Sequence, residues 1–187
     1  RVGSNKKKQK MKIKIFFIPV ALGLCLLVLI TSCQNKPSQE CIELKAANEQ
    51  LSSNIKMYED VWNDIINKRE IEKINETSFD KNITLISSPE NIVGIKGFKD
   101  YYQNYLTGFS DVTFTIVDAF GQGDKIVKHW NFKGKHTGVF FGIPATGKVV
   151  NVYGVTLVKM KDGKIVQEQD FMDNLEFMQQ LEIIPRQ

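Results

Sequence analysis

Cysteine is scarce, with Cys25, Cys33 and Cys41 the whole complement of a 187-residue chain. Cys25 falls inside an uncharged apolar run, so a disulfide framework is excluded. Histidine is scarcer still, limited to His129 and His136. Neither has a cysteine or carboxylate at metal-ligand spacing, and no metal site is expected. A Gly-x-Ser-x-Gly elbow is missing, which removes the local signature of an activated serine. Gly121-Gln122-Gly123 lies between strand-like segments with no helix after it, so it is not a phosphate loop. Acidic residues are absent from positions 1–32, which hold seven basic ones. From Cys33 onward 18 basic residues face 21 acidic, a net charge of −3 against +4 for the whole chain. The basic pI therefore belongs to the N-terminal segment, and no basic patch remains to recognise nucleic acid.

What is present is enough apolar and aromatic residue, 42% and 10%, to build a core. The N-terminal segment reads as an address. Basic Lys6–Lys14 precede the sixteen-residue run Ile15–Ile30, and Ile30-Thr31-Ser32-Cys33 follows. This is the layout of a secretory signal over residues 1–32. Met11 opens an ordinary basic region by itself, so residues 1–10 are readable as upstream of the start. The run is shorter than the roughly 20 apolar residues of a spanning helix, which weighs against a retained anchor. Its ending resembles a bacterial lipobox. That resemblance implies lipid attachment at Cys33, export, and anchoring in the cell envelope. Gln34 in place of an acidic residue favours the outer membrane or periplasmic face. Only Cys41 would then remain as a free thiol, and the membrane partner would be met through acyl chains.

Residues 33–53 read as lipidated cysteine, polar tether and the start of a long helix, and 54–187 as the domain. Cys41, Leu44, Asn48, Leu51, Ile55, Tyr58, Trp62 and Ile65 recur at alternating steps of three and four, one stripe of a helix. Its second half is expected to pack on the domain; a dimerising stalk is the other reading. Asn67-x-x-Glu70 has the form of a capping box before a short helix. Phe98, Tyr101, Tyr102, Tyr105, Leu106 and Phe109 mark a second amphipathic helix. Alternation then predicts strands around residues 112–117, 125–135, 148–160 and 165–171, with Asp162-Gly163 as a hairpin turn. Asp173 and Glu176 can cap a final helix. Helices followed by a run of strands give an α+β domain.

This order of elements resembles the nuclear transport factor 2-like fold, a cone in which a curved antiparallel sheet is wrapped by N-terminal helices. Tyr58-Glu59-Asp60-Val61-Trp62-Asn63, Gly134-Lys135-His136-Thr137-Gly138, Phe141-Gly142-Ile143-Pro144-Ala145-Thr146-Gly147-Lys148 and Asp162-Gly163-Lys164-Ile165-Val166 narrow it. Together they resemble the SnoaL-like polyketide (ester) cyclases over about residues 54–184. The resemblance implies cofactor-free ring closure by a carboxylate on the last strand. Asp170 and Glu168, on one face of that strand with Val166, are the candidates. The family often carries an aromatic after the first of them, where this chain has Gln169. Asp170 facing solvent on an edge strand is the inert alternative. Tyr58, Trp62, His129 and Phe141 are the candidate contacts for a small hydrophobic ligand. Three functions stay open: cyclisation or isomerisation of that ligand, carriage without turnover, or a homodimeric interaction module.

Overall fold

The computed structural model describes residues 38–186. Cys33 and the segment expected to be an export signal lie outside the described residues. Helix α1 spans Gln39–Ile66 and buries Asn54, Tyr58, Val61, Trp62, Ile65 and Ile66. Burial therefore begins only in the second half of the stripe. Ile42 and Leu44 are exposed, while Trp62 and Ile65 are at most 1% exposed. A 3₁₀ turn, Ile71–Lys73, follows. The capping box does not form. Asn67 instead exchanges two 2.8 Å hydrogen bonds with the backbone of Phe114, donating to its carbonyl and accepting from its N–H. A complete amide pairing with an edge strand satisfies both ends of the side chain, which a cap would not.

Strand β1 covers Phe79–Leu85, β2 Ile92–Val93, and helix α2 Ile95–Gly108. Strands β3 (Phe109–Gln122), β4 (Lys125–His136), β5 (Val149–Lys161) and β6 (Lys164–Met172) follow, then helix α3, Asn174–Gln180. Asp173 does cap α3, its carboxylate accepting from the Glu176 N–H at 2.9 Å.

The six strands form one curved sheet in the order β2-β1-β6-β5-β4-β3. One of its pairings departs from the sequence expectation. The sheet is mixed, because β1 joins β6 in parallel while β3 to β6 pair antiparallel. Strand β6 is consequently internal, so Glu168 and Asp170 are not on an edge. A bulge between Lys159/Met160 and the β6 strand shifts the alternation. It turns Ile165 fully inward in place of Val166, which is half-buried.

The helices cover one face of the sheet. Phe79, Phe98, Phe109, Trp62 and Ile165 are among its fully buried side chains. The other face leaves Val117, Phe120, Tyr153, Leu157 and Phe171 exposed.

Candidate active site

The site is a row of inward positions on three neighbouring strands. On β4 Lys128 pairs with Thr156 of β5, and Thr156 pairs with Asp170 of β6. One pleat further along, Glu168 stands opposite Val158. Strand alternation turns all of them toward the helices. There they meet Trp62 from α1 and Tyr102 from α2.

Asp170 is held by two hydroxyls. Tyr102 donates to its Oδ2 at 2.8 Å, and Thr156 donates to its Oδ1 at 2.5 Å. The Thr156 hydroxyl itself accepts from the Trp130 indole N–H at 2.9 Å. That last contact depends on Gly154, the cross-strand partner of Trp130. A Cβ at position 154 would lie 2.2 Å from the Trp130 ring, so only glycine lets the indole lie across β5.

Glu168 is fully buried. It accepts from the Trp62 indole N–H at 3.0 Å, and its Oε2 lies 3.2 Å from the Tyr102 hydroxyl. Loss of hydration pushes its pKa up to about 7; the Lys128 charge opposes that rise, and the Asp170 charge adds to it. Burial also raises the Tyr102 hydroxyl well above its usual range, and the charges of Asp170 and Glu168 act in the same direction. Tyr102 thus stays a phenol with one proton to give. Its shorter contact takes that proton to Asp170, and a protonated Glu168 can donate in turn to the Tyr102 oxygen. The result is a hydrogen-bonded chain from Glu168 through Tyr102 to Asp170.

Asp170 opens into a cavity of about 240 Å³. Trp62, Tyr101, Tyr102, Tyr105, Trp130 and Phe132 supply most of its ring surface, and Lys128 also lines it. Of the four ligand contacts expected from sequence, Trp62 alone reaches the cavity. Tyr58 is fully buried behind it, with ring centres 6.4 Å apart. Phe141 packs on the outside of two wall residues, 5.1 Å from the Tyr101 ring and 6.0 Å from that of Tyr105. His129 has the parity opposite to Lys128 and Trp130, and lies on the outer face 5.7 Å from the Tyr153 ring. It does not line the cavity, because strand alternation sends it to the other side of the sheet.

Sequence reasoning missed Lys128, Thr156, Tyr102 and Trp130 as site residues. Lys128 shares the inward parity of Trp130 and Phe132, and that was the available signal. Thr156 becomes visible only once the β5–β6 register is known. Gln169 takes the outward parity; the rings beside the carboxylates come instead from α1 and α2. His136 is buried and organises a loop, its Nδ1 lying 3.1 Å from the Thr146 hydroxyl.

The fold is that of the nuclear transport factor 2 and ketosteroid isomerase-like proteins. A protein with a ketosteroid isomerase-like fold from Catenulispora acidiphila superposes with a TM-score of 0.55 at 16% identity, covering 66% of this chain and 90% of that one. TsrD from Streptomyces laurentii gives 0.64 at 23% identity, over 71% and 97%. A candidate SnoaL-like polyketide cyclase from Jannaschia sp. CCS1 gives 0.63 at 18% identity, over 81% and 99%. The chain belongs to the SnoaL-like polyketide cyclase family, whose model matches residues 54–181. A comparison with curated proteins finds no match.

Proposed function

We propose that the cavity binds a small, mainly apolar carbonyl compound and that Asp170 removes a proton beside the carbonyl, leading to ring closure or double-bond migration without a cofactor. The observation that carries this is the position of Asp170. It is a carboxylate opening into an aromatic cavity, with both oxygens fixed by hydroxyl donors. Such a group is held in one orientation at the edge of the space a substrate would fill, and a general base must first be within reach of the proton it takes. The family's description as polyketide cyclases agrees with the same chemistry. Size narrows the ligand. A dry pocket of about 150 Å³ takes a benzene, so 240 Å³ has room for a substituted one-ring compound.

The test is a panel of one-ring and open-chain 1,3-dicarbonyl compounds followed by mass spectrometry and NMR. Asp170→Asn is expected to lower cyclised or isomerised product at least about 100-fold, the usual scale for a lost general base, with an unchanged circular dichroism spectrum. Full activity in that variant would end the assignment. Ligand-dependent stabilisation without product, and without any role for Asp170, would identify a carrier instead. The export signal and lipobox-like Cys33 support placing this domain on acyl chains at the cell envelope.

A further inference from the structure

Lys128 is the one cavity residue whose burial has no evident structural purpose. It is 3% exposed, on an inner strand, in a position where Trp130 and Phe132 occupy the equivalent inward sites. Its ammonium lies 4.5 Å from the ring centre of Trp62, 5.0 Å from Tyr58 and 5.3 Å from Phe114. These rings attract a cation but offer no acceptor for its three N–H donors. Among the described residues Lys128 forms no ion pair and no side-chain hydrogen bond. Buried donors are almost always satisfied, and the open side of this one is the cavity.

The cross-strand row fixes its relation to the base. Lys128 and Asp170 flank Thr156, so their backbones are two strand spacings apart, roughly 10 Å. Both side chains reach into the same space from opposite ends of that row. We infer that the Lys128 ammonium is an oxyanion subsite, donating to the oxygen of an enolate or phenolate whose carbon skeleton lies against the cavity rings. Burial lowers the lysine pKa, and the charges of Glu168 and Asp170 work to keep its proton on.

The inference rests on the proposed function and assigns its charge movement. When the Asp170 carboxylate takes the proton, the C–H electron pair becomes the C=C bond and the carbonyl oxygen takes up the negative charge. That charge has moved from one end of the row toward Lys128. In an aldol closure the enolate carbon bonds to a second carbonyl carbon, and the new alkoxide recovers the proton from Asp170. The enolate returns to a carbonyl, and protein and charge are restored.

The probe is 4-nitrophenol, whose visible absorption separates phenolate from phenol. The protein is Asp170→Asn, in which the neutral amide stands for the protonated base. Below the free pKa of the probe, it should be bound as phenolate. Adding Lys128→Met should return the bound probe to the neutral form, with at least a tenfold drop in its ionisation equilibrium, and Lys128→Arg should keep the anion. Neutral probe bound to Asp170→Asn itself, or phenolate bound equally by the Met variant, would overturn the subsite while leaving the cavity as a ligand site. Binding by none of them would remove the cavity reading, and this inference with it. The Asp170→Asn spectrum decides the matter even if Lys128→Met fails to fold.

Discussion

Glu168 and Asp170 are two residues apart on one strand face, yet their surroundings give them different work. Asp170 accepts from two hydroxyls at the cavity wall, whereas Glu168 is sealed beneath it. Its raised pKa of about 7 has a stability consequence. The unfolded chain loses this proton near 4.5, the folded chain only near 7, so the folded state holds the extra proton between those values. The stabilisation is complete below about 4.5 and is lost as pH rises through 7. It amounts to about 3 kcal/mol at most, at 1.36 kcal/mol per pKa unit. Glu168→Gln should flatten this part of the profile. Urea unfolding at pH 4.5 and pH 8 would show the wild type losing stability relative to the variant; parallel profiles would mean that Glu168 is ionised in the fold. The candidate carboxylates were legible in the sequence because the hairpin Asp162-Gly163 sets the strand after it. Lys128 was not, because a lysine between Val127 and His129 looks like an ordinary surface position until its parity is taken seriously.

At the level of elements, the site depends on β6 being internal. Local alternation defines a strand and its two faces but not its neighbours. The parallel pairing with β1 links residues some 85 positions apart in sequence, and nothing local to either strand encodes it. The long helix, the aromatic helix, the four later strands and the Asp173 cap were readable because each depends on a local period or a short-range hydrogen bond. The Asn67 cap failed since a distant backbone, Phe114, competed for the same amide. Strand β5 contributes a glycine that no local turn requires. Gly154→Ala should displace the Trp130 indole and break its bond to Thr156. The expected cost is about 1–3 kcal/mol, the range for overpacking a core, with blue-shifted or red-shifted tryptophan fluorescence as the local readout. Unaltered stability and fluorescence would show that the ring contact is not confining.

The whole molecule joins a domain of net acidic charge to a basic N-terminal segment. If Cys33 carries lipid, cells fed a labelled fatty acid should incorporate it into the chain, and Cys33→Ser should abolish the label and release the domain from membranes. Label retained in Cys33→Ser would refute attachment there. The domain itself was recognisable as a fold from its order of elements, while the cavity depended on where the rings of three helices and three strands meet. The proposed proton abstraction by Asp170 can be measured without knowing the natural ligand. Phenylacetone, a one-ring ketone of suitable size, can be incubated with the protein in deuterium oxide and its α-protons followed by NMR. The wild type should accelerate deuterium incorporation over buffer, and Asp170→Asn should reduce the rate to background. Equal exchange by the two proteins would contradict the account.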